Sequence, residues 1–239
     1  VNAPDLEKPV NNIIRRIVTY AISQIVSDDV AAEIRNYPNA TEPIADFVLD
    51  YFNREIEHVI ERTAFTTMSR DWIRDAAVDG DACGYWYWDD TAQGDGMYKG
   101  EIACEVVDNT RVIFGNPAVW DVQQQPYILL PSRRLAEQVK REAKQNGGQP
   151  DEIREDSDDT QQPNMENIND AGRVTLIVRL WRDADTDSIW CCKTAGGAWV
   201  KKPWDTGLKL YPLAYFSWDK VKNSCHGQAF VTSAIPNQI

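Results

Sequence analysis

The sequence predicts an α+β fold, with long helices packed on antiparallel β-sheets. Three observations carry this. Apolar residues recur twice before residue 80 at the i, i+3, i+4, i+7 spacing of an amphipathic helix. From Gly80 the period changes to two, as strands require. Residues 173–218 then alternate β-rich runs with short turns, which reads as a meander.

The bulk numbers agree. At 239 residues and 43% hydrophobic, the chain can bury a substantial core in one large or two small domains. No apolar run approaches the ~18 residues of a membrane span. The polar start "VNAPDLEKPVNN" is not a secretory signal, and it lacks an initiator Met. A net charge of −12 argues against a general phosphate-gripping surface, which needs a basic surplus. Five cysteines with no C-x-x-C pair read as buried thiols of a reduced, intracellular chain. With only two histidines, no zinc site is expected.

The first helix spans 9–27, where Ile13, Ile14, Ile17, Val18, Ala21, Ile22 and Ile25 form the stripe and Pro9 suits the first turn. The second pattern runs over 41–79. Thr41 is its N-cap and Pro43 an early helical position. At 1.5 Å per residue, ~35 residues make a rod of ~50 Å, with one irregularity near Phe52. Gly80 stops it.

Next, "CGYWYWDD" and "GEIACEVVD" read as paired strands around a "TAQGDG" turn. Residues 131–146, "PSRRLAEQVKREAKQN", read as a surface helix. Ser132 caps it, Leu135, Val139 and Ala143 form its apolar seam, and Gly147-Gly148 end it. Its cations Arg133, Arg134, Lys140, Arg141 and Lys144 outnumber Glu137 and Glu142, which makes them the candidate contact with an acidic neighbour or with nucleic acid. Residues 148–171 read as a flexible acidic loop. In the meander, Ala184 to Asp187 form a hairpin turn and Gly196-Gly197 another; Cys191 and Cys192 point to opposite faces. "LYPLAYFSWDK" is a further extended segment. After Gly227, Phe230, Val231, Ala234 and Ile235 recur at near-helical spacing and read as a helix being launched. Asn237-Gln238-Ile239 supply no C-cap, so that helix is expected to be the start of a truncated one.

Motifs for chemistry are missing. There is no P-loop, no G-x-G-x-x-G and no G-x-S-x-G. A serine or cysteine nucleophile needs a base, and His58 (mid-helix) and His226 (in a Gly-flanked loop) read as structural or surface residues. No catalytic residue, metal ligand or cofactor is expected. Tyr85, Trp86, Tyr87 and Trp88 could make a sugar platform, but alternation puts only two on each face, and packing against a helix accounts for them as well.

The order of segments resembles the portal proteins of tailed bacteriophages and prophages. The resemblance rests on "NNIIRRIVTYAISQI", on Gly80-Asp81 with Trp88-Asp89, and on Asp108-Asn109 with Val112 and Asn116-Pro117. It also rests on Tyr211-Pro212-Leu213 with Trp218, His226-Gly227 and Pro236-Asn237-Gln238-Ile239. It spans most of the chain apart from the acidic loop. It implies a wing-like body divided into a helical and β part at 1–147, the loop 148–171, a β-rich part at 172–226, and the start of a stem helix at 227–239. It also implies a structural, non-enzymatic role in a homo-oligomeric ring, commonly of twelve subunits, at a capsid vertex, with assembly in the host cytoplasm. Terminase, capsid or scaffold protein, and a tail adaptor would be partners, and Arg133, Arg134, Lys140, Arg141 and Lys144 would make a lateral subunit or scaffold contact. Double-stranded DNA would pass without sequence-specific binding, and an acidic body would limit its sticking. Two rival readings are another head-tail connector or capsid protein, and a carbohydrate-binding module using the aromatic strands.

Overall fold

The computed structural model describes residues 13–26, 32–36, 42–92, 99–156, 172–233 and 235. Helix α1 (Ile13–Ile25) forms on its predicted stripe. The expected rod over 41–79 is two helices, α2 (Asp46–Arg62) and α3 (Phe65–Asp79). The break falls at Ala64 rather than near Phe52. Ala64 adopts φ 50 and ψ 41, left-handed values that end one helix and start the next. Pro43 precedes the helix, whose N-cap is Ala45; Thr41 and Pro9 lie outside the described residues. Gly80 ends α3 at φ 104 and donates its N–H to the Ala76 carbonyl, as a left-handed glycine cap does.

The strands follow. β1 (Asp81–Asp89) and β2 (Glu101–Val107) pair antiparallel as expected. β3 (Ile113–Phe114) and β4 (Tyr127–Leu135) lead into α4 (Ala136–Gln145). The meander is β5 (Arg173–Arg182), β6 (Ile189–Ala195) and β7 (Ala198–Asp205). β8 (Leu213–Ser217) then leaves it to pair with β1. The result is a five-stranded sheet ordered β3-β4-β5-β6-β7 and a three-stranded sheet ordered β2-β1-β8. All pairings are antiparallel.

Three expectations need correction. Ser132, Arg133 and Arg134 belong to strand β4, not to a helix, because they pair with Leu176, Thr175 and Val174 of β5. Pro131 is tolerated in β4 since β3 covers only Ile128 and Leu129, leaving the strand one-sided beyond them. The helix begins at Ala136 with Leu135 as an uncapped N-cap; Val139 and Ala143 are buried as expected, but Leu135 is exposed. Within residues 148–156 of the expected loop, Pro150–Glu152 form a 3-10 turn and Ile153 is buried at 2% exposure between α4 and the meander, where a solvated segment was expected. Residues 157–171 lie outside the described set. Finally, Gly227–Gln228 form β10, paired with β9 (Asp219–Lys220), where a helix was expected to open. Phe230–Ser233 follow as a 3-10 turn. Ala234 and residues 236–239 lie outside the described set.

One face of β5 organises the core. Val174 and Leu176 pack against α4, while Val178 and Leu180 pack against the three-stranded sheet through Cys83, Val107, Tyr85, Leu213 and Tyr215. The far face of the three-stranded sheet carries α3: Trp72 and Ala76 meet Trp86, Cys104, Val106 and Ala214. Gly84 makes that contact possible, because a Cβ there would collide with the Trp72 ring. So α4 and the three-stranded sheet share one face of the five-stranded sheet, and α3 lies beyond the three-stranded sheet. The five cysteines are unpaired; Cys191 faces the core and Cys192 sits opposite Arg179, on opposite faces as alternation requires.

Candidate functional site

Strand and helix divide the five candidate cations. On β4, Arg133 and Arg134 point to opposite faces. Arg133 pairs with the Asp156 carboxylate, donates to the Asp156 carbonyl at 2.8 Å, and is nearly buried. Arg134 forks onto both oxygens of Glu105 on β2, so it stitches the two sheets together. Both are therefore structural. Lys140, Arg141 and Lys144 remain on the exposed face of α4. Glu142, the helix's second acid, turns away to Lys193 at 2.6 Å, leaving Glu137 as the one acid beside those cations. No local pattern signals these partners, which lie 23 to 51 residues away.

A cleft of about 1130 Å³ opens between the two sheets and α4. Tyr85 and Tyr87 enter it from β1, stacked with centroids 5.2 Å apart. Trp86 points the other way, to Phe65 on α3, as alternation predicts. Across the cleft Lys201 lies 4.2 Å above the Trp204 ring. Burial pushes the Tyr87 hydroxyl up, and the Glu105 charge adds to it. The cleft's charges largely cancel in pairs: Arg134 with Glu105, Lys193 with Glu142, Arg111 with Asp108 at 3.1 Å. Its aromatic floor could stack a flat or sugar-like ring.

The second histidine has a defined place. His226 Nδ1 lies 2.7 Å from Asp81 Oδ2, and the other Asp81 oxygen accepts the Gly227 N–H. The carboxylate is 3% exposed. Around it Tyr215 donates its hydroxyl to the Cys225 carbonyl at 2.8 Å, and Cys225 donates its N–H to the Pro117 carbonyl at 2.8 Å. A Cβ on Gly80 would meet the Gly227 carbonyl oxygen at 2.6 Å. This clasp ties the α3–β1 corner to the segment around residue 226. The sequence offered only two Gly-flanked polar residues 145 positions apart.

The helical side of the molecule carries exposed aromatic residues. α2 is amphipathic yet buries none of its 17 residues. Phe47, Tyr51 and, on α1, Tyr20 are 77%, 60% and 67% exposed. Among the described residues no group of His, Cys, Asp and Glu is gathered for a metal ion, and no helix is long and apolar enough to cross a membrane. No protein-family model matches the chain, and no curated protein does either.

Proposed function

We propose that this chain is a structural subunit of the portal ring of a tailed bacteriophage. In that role it forms, with further copies, the conduit for double-stranded DNA at a capsid vertex and the docking point for terminase and the tail adaptor. The ordered sequence elements from "NNIIRRIVTYAISQI" to His226-Gly227 suggest it. The observation that carries it furthest is the set of exposed aromatic residues on the helical layer. An amphipathic helix of 17 residues draws most of its stability from packing, and among the described residues α2 only half-buries its stripe of Val48, Leu49, Ile56, Val59 and Ile60. Exposed aromatic patches of this kind mark surfaces that another protein covers. A ring subunit has such lateral surfaces on two sides. Another head-tail connector or capsid protein would share this feature.

The test is light scattering with negative-stain microscopy on the whole gene product. Closed rings of about twelve subunits are expected. A monomer at high concentration would end the portal reading. The carbohydrate-binding reading has one observation in its favour, the stacked Tyr85–Tyr87 pair in the cleft. Quenching of tryptophan fluorescence by oligosaccharides, reduced in Tyr87→Ala, would support it.

A further inference from the structure

We propose that the cleft between the two sheets binds a ring-bearing anion, with the apolar face of the ring on Tyr87 and its carboxylate or phosphate on Lys201. The proposal rests on the stacking reading of that cleft and is independent of the portal reading. Its starting point is a pair of like charges. Lys193 of β6 and Lys201 of β7 stand directly opposite each other in the register, and both line the cleft. Like charges facing each other across two strands are destabilising, and half-burial of both residues weakens the screening by water. The β6–β7 register also shifts on either side of Lys193, and bulges of this kind re-aim a side chain next to a site. Departures from local rules concentrate where a site requires them.

The pair is only half neutralised. Lys193 reaches Glu142 on α4 at 2.6 Å. Among the described residues Lys201 makes no ion pair; its ammonium lies 4.2 Å from the centroid of the Trp204 ring. The other acids of the lining are engaged elsewhere. Glu105 holds Arg134, Asp108 holds Arg111, Asp89 accepts the Thr91 N–H at 2.9 Å, and Asp205 accepts the Gly207 N–H at 2.9 Å. Asp90, which remains, is exposed. A carboxylate or phosphate entering the cleft therefore meets an ammonium with no counter-ion in contact. It also neutralises a repulsion that the folded sheet otherwise carries.

The facing wall supplies the place for the ring. Tyr85 packs against the core cluster, which leaves Tyr87 as the outer ring of the stacked pair. At about 1130 Å³ the cleft stands at the upper end of small-molecule sites, with room for a mononucleotide or a short acidic sugar. A neutral ring would leave Lys201 without a counter-charge, and an anion without a ring would leave the aromatic wall bare. The two features together select a molecule that has both.

Isothermal titration calorimetry on the whole gene product tests this with two matched pairs of probes: AMP with adenosine, and trigalacturonate with maltotriose. In at least one pair the anionic member is expected to bind about tenfold more tightly than the neutral one, as a charge-assisted contact provides. The pair that shows it tells a nucleotide from an acidic sugar. Lys201→Met keeps the stem over Trp204 and is expected to bring the anionic probe down to the level of its neutral partner. Tyr87→Ala is expected to weaken both members. Circular dichroism melts check that each variant folds. Anionic probes that bind no more tightly than their neutral partners, or a folded Lys201→Met that binds them as wild type does, would overturn the anion site while leaving neutral stacking in place. No binding by any of the four probes would overturn the anion site and the stacking reading together.

Discussion

Replacing Asp81 with alanine tests the clasp between the α3–β1 corner and residue 226. The carboxylate is 3% exposed, so water cannot replace what it provides. Its loss leaves the Gly227 N–H without an acceptor in a buried site, which costs about 1–3 kcal/mol. It also removes the contact to His226, a hydrogen bond of the charged class worth about 1.5–3 kcal/mol, partly recovered because His226 is 47% exposed and can turn to water. Removing the buried charge itself returns some desolvation energy. The net expectation is a loss of about 2–4 kcal/mol. At roughly 2–4 °C per kcal/mol for a chain of this size, the melting temperature should fall by about 5–15 °C. Urea unfolding followed by tryptophan fluorescence reads this directly, since Trp218 donates its N–H to the Gly80 carbonyl beside the clasp. Asp81→Asn, which keeps an oxygen for Gly227, should lose less, and His226→Ala less than Asp81→Ala. A double-mutant cycle should give a coupling above ~0.5 kcal/mol. An Asp81→Ala variant within ~0.5 kcal/mol of wild type would refute the reasoning.

Three further outcomes are expected. Ala64→Gly relieves the left-handed strain at the α2–α3 break and should stabilise the protein by about 0.5–1 kcal/mol in the same unfolding assay; destabilisation would mean that the two helices are continuous in solution. Burial pushes the thiols of Cys83, Cys104 and Cys191 up to about 12, so a disulfide reagent at pH 8 should label Cys83 and Cys191 slowly in the native protein and all five cysteines at once in guanidinium. Burial, then the charges of Asp79 and Asp71, hold the Asp75 carboxyl above its usual range, so the native state binds its proton more readily than the unfolded state. That penalty is complete above the raised native value and disappears as pH falls below the unfolded one. Asp75→Asn should therefore stabilise by a few tenths of a kcal/mol at neutral pH, with no gain in acid; a gain that persists at low pH would contradict it.

Much of the fold was legible because it is local. The stripes of α1 and α2–α3, the switch of period at Gly80, the β1–β2 hairpin and the meander all follow from neighbouring residues. The failures share a non-local cause. "PSRRLAEQ" has the composition of a helix start, yet its first residues extend β4, because pairing with β5 satisfies their backbone along a strand 40 residues away. Ile153 lies in the most acidic stretch of the chain but is drawn into the slot beside Val139 and Val200. Ala64 breaks the rod without any glycine or proline to announce it. Of the candidate site, the α4 cations were legible and their partition was not: whether an arginine is free or spent depends on Glu105 and Asp156, which only the assembled sheets bring near.

The pairing of β8 with β1 has a consequence for biosynthesis. Asp81–Tyr85 of β1 waits for Leu213–Ser217, some 130 residues later, before its second edge is closed. The meander can zip up from adjacent hairpins as soon as it leaves the ribosome, but the three-stranded sheet carries a large loop-closure cost and must form late. Until then β1 presents an open, aromatic edge of the kind that recruits foreign strands. Nascent chains stalled before residue 213 should accordingly be the species that aggregate or engage chaperones, and the lifetime of that open edge, more than the stability of the finished protein, would set the yield of folded protein.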